Sequence, residues 1–253
     1  MRVMSNQSSL EPKVCLVTGG ARRIGAEISR ALHRAGARVA IHYRSSHDEA
    51  RALAAELNEI RKKSALSLQA DLQGPDVSAS IIRAVVVHFG RLDVLVNNAS
   101  SFYQTPLGSI THEQWDDLVG SNMKAPLFLS QAAAVALRKT SGNIINVVDI
   151  HARRPLRDYV VYSVAKAGLA MITRGLAREL APEIRVNGVA PGAILWPESG
   201  LDETTREKII EQTALKRTGC PEDIVNCILF LLTDADYVTG QIIAVDGGRS
   251  IGW

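Results

Sequence analysis

The chain has 253 residues, with 29 lysines and arginines against 26 aspartates and glutamates for a net charge of +3, which is one domain's worth of sequence with both signs interspersed. That pattern excludes the concentrated basic face of a nucleic-acid groove. Hydrophobic residues make up 46% of it, but no unbroken apolar run reaches the roughly 18 residues of a membrane span and the polar start lacks the apolar segment of a secretory signal, so a cytoplasmic protein that engages neither membrane nor nucleic acid is expected.

Residues 1–12 read as a loose N-terminal extension and 13–253 as a single domain. Apolar runs near 13–18, 38–43, 65–69, 92–96, 143–148, 184–190 and 240–245 alternate with amphipathic segments. Such alternation predicts an α/β fold: one doubly wound parallel sheet of about seven strands with helices on both faces. Ligands of such sheets bind beyond the carboxyl ends of the strands, where strand order reverses.

After the first run comes Thr18-Gly19-Gly20-Ala21-Arg22-Arg23-Ile24-Gly25 and then an amphipathic stretch to Ala35. Glycines let the backbone approach a pyrophosphate, and the helix start offers free N–H groups and the positive end of its dipole. After the second run, Ile41-His42-Tyr43-Arg44-Ser45-Ser46 lacks the carboxylate that would accept from the 2′-hydroxyl of NAD and repel an added phosphate. Arg44 and the two serines suit a phosphate instead, so NADPH is the expected cofactor. Arg22 is placed to reach the same phosphate. Cys15 lies in the first strand, Cys220 and Cys227 bracket the start of a late helix, and the six histidines are scattered, so reduced bystander thiols and no metal site are expected.

Farther along, Asn97-Asn98-Ala99-Ser100-Ser101-Phe102 follows the fourth run, and Asp149 follows the fifth. Tyr162 and Lys166 are four residues apart on a predicted helix and so share one face, with about 5 to 6 Å between their Cβ atoms. From there an ammonium acts on both a phenol and a bound cofactor. Its charge is expected to favour phenolate, so that the phenol gives up its proton more readily, and Asp149 is a second proton source beside it. Residues 191–213, with Trp196, Pro197 and a charged short helix, read as a lid over the substrate.

Together these motifs resemble the short-chain dehydrogenase/reductase family, from about Lys13 to Gly248. The resemblance implies a Rossmann-like domain in which Asn122 joins Tyr162, Lys166 and the position of Asp149, usually serine, as catalytic residues. It implies cofactor contacts from Gly19, Arg22, Arg23, Ile24 and Gly25, from Tyr43, Arg44, Ser45 and Ser46, and from Asp71 and Leu72 at the adenine. Asn98, Ala99, Tyr162, Lys166, Pro191, Gly192 and Ile194 complete that set. Where relatives carry Pro-Gly-x-Ile-x-Thr, this chain ends in Trp196, so the hydroxyl that commonly helps hold the cofactor is missing.

Three features resemble the pteridine reductase branch: Arg23 in the glycine turn, Ser100 and Phe102 after the fourth strand, and Asp149 ahead of Tyr162. There Arg23, Ser100, Phe102, Asp149 and Tyr162 meet a pterin, with the aromatic ring stacking it against the nicotinamide. The expected activity is NADPH-dependent reduction of a dihydropterin, such as dihydromonapterin or dihydrobiopterin with dihydrofolate as a side substrate, by a homotetramer. The rivals are a carbonyl reductase of the same family acting on 3-oxoacyl thioesters, and a non-catalytic NADP-sensing protein, whose hallmark would be a broken Tyr/Lys pair.

Overall fold

The computed structural model describes residues 10–196, 200 and 202–251. All seven strands lie parallel in one sheet: β1 (Val14–Val17), β2 (Arg38–Tyr43), β3 (Ala65–Gln69), β4 (Val94–Asn97), β5 (Asn143–Val147), β6 (Arg185–Pro191) and β7 (Ile242–Val245). The order is β3-β2-β1-β4-β5-β6-β7, so direction reverses between β1 and β4. Ligand crevices of open α/β sheets form at such a point.

Successive strand residues face opposite sides of the sheet, and here both sides are covered. Cys15, Val17, Val39, Ile41, Val94, Val96 and Ile145 face a core built with helices α1 (Arg23–Arg34), α2 (His47–Ile60) and α8 (Pro221–Thr233). Val14, Leu16, Ala40, Leu95, Ile144 and Val186 face the other, under α3 (Val77–Phe89), α5 (Ala125–Arg138) and α6 (Val160–Leu180). This two-sided burial makes the strands read as continuous apolar runs, and each fully buried leucine or isoleucine contributes about 1.5 to 3 kcal/mol. Among the described residues α6 is the one helix long and apolar enough to cross a membrane, but it is built into this core.

The expected loose extension is corrected at its end. Leu10 is fully buried in the first core, and its N–H donates to Ala35 O at 2.7 Å, so residues 10–12 belong to the domain. Residues 1–9 lie outside the described residues.

Helices α4 (His112–Val119) and α5 are one continuous rod interrupted by a π turn at Gly120–Lys124. A capping box starts it, with Thr111 Oγ1 accepting from Gln114 N at 3.2 Å and Gln114 Oε1 accepting from Thr111 N at 3.0 Å. π turns inside α-helices recur at functional sites, and this one carries Asn122. The segment expected to be a lid contains α7 (Glu203–Glu211), capped by Asp202, and α7 buries none of its residues. Pro197, expected in the lid, lies outside the described residues.

Candidate active site

The glycine turn is shaped by close approach rather than by flexibility. A Cβ on Gly25 would lie 2.0 Å from Gly19 O and 2.6 Å from Asn98 Nδ2, and Gly19 itself sits at a φ of +59°. The Asn98 amide donates to Thr18 O at 2.9 Å and Gly19 O at 3.0 Å, while Thr18 Oγ1 accepts from the N–H groups of Asn98 and Ala99 at 2.9 and 3.0 Å. The turn after β1 and the exit of β4 are thereby locked across the switch point. The start of α1 has no side-chain cap from Arg22 and no acid in its first turn, so the positive end of its dipole favours an anion there. This start suits the pyrophosphate of a dinucleotide.

The crevice has two lobes. One of about 210 Å³ is lined by Arg22, Tyr43, Arg44, Ser45, Ser46, Asp71 and Leu72, the residues expected at the adenosine end. The other, about 660 Å³, brings together Arg23, Ile24, Gly25, Asn98, Phe102, Asp149, Tyr162, Lys166, Pro191, Gly192 and Ile194. Gly19, Arg22, Ala99 and Ser100 line both. The second lobe is large enough for a nicotinamide with a small flat substrate.

At its floor the Tyr162 hydroxyl donates to Asp149 Oδ2 at 2.8 Å, and Asp149 Oδ1 accepts from His151 N–H at 2.8 Å. Lys166 is buried one turn along α6, its Nζ donating to Val147 O at 2.9 Å and lying 5.7 Å from the Tyr162 ring centroid. This corrects the expected electrostatics. The ammonium does not ease ionisation of the phenol: burial first, then the charge of Asp149 and the bond to it, push Tyr162 well above the ordinary tyrosine value, with Ser100 opposing. Tyr162 is therefore held in its protonated, donor form. Burial also pushes Lys166 down to about 8, with Asp149 opposing.

Asn122 does not reach Tyr162 or Lys166 directly. Its Oδ1 accepts from Ser100 Oγ at 2.6 Å and its Nδ2 donates to Ser101 O at 2.9 Å and Leu118 O at 3.0 Å. Ser100, which donates to Asn122, is also the group that opposes the rise of the Tyr162 pKa. Phe102 is 44% exposed, stacked on Tyr159 at 4.6 Å and 18°, and edge-on to Tyr162 at 4.8 Å and 76°. Arg23 lines the large lobe, but its Nη2 donates to Trp196 O at 2.9 Å and Leu195 O at 3.4 Å. The segment after β6 is thus held through its backbone by the glycine turn, with Arg206 over the Trp196 ring at 5.6 Å. Arg23 itself takes a positive φ of 52°, which costs a non-glycine residue strain and points to a placed side chain. Arg22 pairs with Glu49 at 3.6 Å, and Arg44 with Asp117 at 3.5 Å.

Several contributors carried no motif. His42 accepts from Gly19 N–H at Nδ1 (3.3 Å) and meets Ala70 O at Nε2 (3.1 Å), an arrangement that requires neutral imidazole, and burial lowers its pKa accordingly. Asn97, adjacent to Asn98 in sequence, instead bonds Asn146 Oδ1 at 2.8 Å in a buried chain that continues to Thr173. Arg249, in the turn after β7, is lowered by burial and lies in the fields of Asp149 and Asp246.

A family model described as enoyl-(acyl carrier protein) reductase matches residues 19–250. Pteridine reductase 1 of Leishmania tarentolae is 38% identical over 94% of this chain and 96% of its own length. The 3-oxoacyl-[acyl-carrier-protein] reductase FabG of Staphylococcus epidermidis is 37% identical over 93% and 98%, and that of Staphylococcus aureus 36% over 93% and 97%. With the sheet order, the glycine turn and the intact Tyr162 and Lys166 pair, these matches set aside a purely sensing role: the chain is an oxidoreductase and belongs to the short-chain dehydrogenase/reductase family.

Proposed function

We propose that the protein is an NADPH-dependent pteridine reductase that converts a dihydropterin to its tetrahydro form. The observation that carries this reading is Phe102: an aromatic ring lines the large lobe beside Tyr162, half-exposed and covered on one face by Tyr159. A flat heteroaromatic ring stacked on such a face gains about 0.5 to 1.5 kcal/mol beyond area burial, whereas an acyl chain has no use for it. The bound nicotinamide supplies the hydride. The chain's own part is the proton: Tyr162, kept protonated by burial and Asp149, faces the lobe as the donor to a ring nitrogen, directly or through water. A phenolate left beside the Asp149 carboxylate is unfavourable, so the proton that leaves must be replaced from solvent, and Asp149, in hydrogen-bond contact with the phenol, is the group that can take up that proton and pass it on. Lys166 anchors the site at Val147 O and provides the cation on the cofactor side.

Arg44, Ser45 and Ser46 around the small lobe support NADPH over NADH, since the residues that follow β2, Arg44 to Ser46, include no acid. Exposed Phe128, Val135, Val164 and Met171 on α5 and α6 support helix packing between subunits of a homotetramer. A second reading, a 3-oxoacyl thioester reductase, draws on the similar identity to the staphylococcal enzymes. One assay separates the two: purified protein with NADPH and either dihydrobiopterin or a 3-oxoacyl thioester, followed at the nicotinamide absorbance. Oxidation driven by the pterin is expected; oxidation driven by the thioester alone would overturn the assignment.

A further inference from the structure

Asp117, near the end of α4, touches three loops that leave the carboxyl ends of three different strands. Its Oδ1 lies 3.5 Å from Arg44 Nη1, beyond β2, and accepts from Gln73 Nε2, beyond β3, at 3.0 Å. Its Oδ2 accepts from the Tyr103 hydroxyl, beyond β4, at 3.1 Å. The capping box at Thr111 and the π turn at Gly120–Lys124 fix the rod from which it projects. Five residues on, Asn122 binds Ser100 and Ser101, so the segment carrying Phe102 is tied to this rod on both sides of the ring.

Tyr103 does more than fill space. Its ring packs with Leu118, Val161 and Tyr162, and burial followed by the Asp117 charge raises its pKa, so it remains a donor to Asp117. Gln73 packs against Gly120, where a Cβ would come within 2.6 Å of its Oε1, which fixes the amide that Asp117 accepts from. Arg44 is the exposed member of the set, with 56% of its side chain accessible against 31% for Asp117. Among the described residues Asp117 is the one carboxylate paired with it.

We propose that Asp117 is a specificity-determining residue of the cofactor site, whose carboxylate competes with a 2′-phosphate for Arg44 and thereby restrains the preference for the phosphorylated cofactor, while its second oxygen holds the substrate loop through Tyr103. The proposal rests on the reading that Arg44 receives the 2′-phosphate. The physical sign follows from charge. A phosphate arriving at Arg44 meets an acid already paired there and is repelled by it, whereas a 2′-hydroxyl carries no charge and is not repelled by the acid. The pair is partly exposed, so the effect is that of a screened surface pair, about two- to five-fold in affinity.

The test measures dissociation constants for NADPH and NADH by cofactor fluorescence in the wild type, Asp117→Asn, Arg44→Ala and the double variant, with thermal unfolding as the folding control. Asp117→Asn should tighten NADPH about two- to five-fold and leave NADH unchanged, and the gain should vanish when Arg44 is absent. Asp117→Ser, neutral but shorter, should give the same shift if charge is the cause, and it replaces the asparagine variant should that one misfold. Tyr103→Phe should raise the pterin KM while leaving the NADPH constant unmoved. If Arg44→Ala lowers the NADPH to NADH preference but neither neutral variant raises it, the role of Asp117 falls and the cofactor reading stands. Equal shifts for the two nucleotides, or a gain that persists without Arg44, overturn the role in the same way. If Arg44→Ala leaves the preference unchanged, the assignment of Arg44 fails and the proposal falls with it.

Discussion

The two ends of the crevice are built by different means. At the glycine turn the work is done by backbone: the positive end of the α1 dipole, a turn that a Cβ at position 25 would occupy, and Asn98 and Thr18 stitching two strand exits together. At the substrate end it is done by side chains on loops, with Phe102 leaning on Tyr159, Tyr103 on Asp117, and Asp149 reaching Tyr162. Backbone sites depend on a residue's conformation and size, and so tolerate almost nothing at a few positions. Side-chain sites depend on chemistry, and so can be retuned one group at a time.

The largest effect should come from the chemical end. Asn at position 149 keeps the shape of the acid and its acceptor oxygen but cannot take up a proton and hand it on, so Asp149→Asn should lower kcat by about 10²- to 10⁴-fold with cofactor affinity little changed. The same variant should move the alkaline limb of kcat/KM. Lys166 is at about 8 in the free protein with Asp149 holding it up, so activity that needs the ammonium falls as pH rises through about 8, and removing the acid shifts that fall to lower pH. An Asp149→Asn protein with wild-type kcat and an unmoved limb would leave Tyr162 and Lys166 as the whole acid machinery.

The backbone end should break on a single methyl group. With only 2.0 Å between a Cβ at Gly25 and Gly19 O, Gly25→Ala must displace the turn, at a cost of about 1 to 3 kcal/mol as for other overpacked sites. Direct titration should show weakened cofactor binding, together with a lower unfolding temperature. Unchanged affinity would mean that the cofactor does not use this turn.

The contrast also explains what could be read from the chain. Runs such as Val14–Val17 and Asn143–Val147 were legible as strands because both sheet faces are buried, and the glycine turn because its steric demand is written in residue type. Tyr162 and Lys166 were legible through helical spacing. The sign of their electrostatics was not, because it depends on the burial of the phenol and on which carbonyl the ammonium faces. His42, Tyr159 and Asp117 were equally silent: each acts on a segment more than 10 residues away or across a fold, and nothing local marks it. Arg23 was legible as part of the glycine turn, but its bonds to the Leu195 and Trp196 carbonyls were not.

On the substrate side, Phe102→Ala should weaken pterin binding about 2- to 12-fold, the worth of an offset stack, and leave NADPH binding to the free protein unchanged. Fluorescence titration of both ligands decides it. Equal losses would make the ring a support for its loop, and the stacking argument for a pterin would go.

The smallest effect returns to the backbone end. His42 joins the glycine turn to the end of β3 only as neutral imidazole, and burial keeps its folded pKa below the unfolded value of about 6.5. For a group depressed in this way the stabilisation is fully present above the unfolded value and is lost as pH falls toward the folded one, because the unfolded chain takes up the proton first. His33, held against Ser64 at 2.7 Å and likewise lowered by burial, acts in the same direction. The unfolding temperature should therefore fall as pH is lowered below about 6.5, and His42→Asn and His33→Asn should each flatten that slope. Cofactor affinity separates the two: only the His42 proton loosens Gly19, so NADPH binding should weaken over the same pH range in the wild type and in His33→Asn but not in His42→Asn. A pH dependence of binding that survives His42→Asn would place the titrating group elsewhere in the crevice.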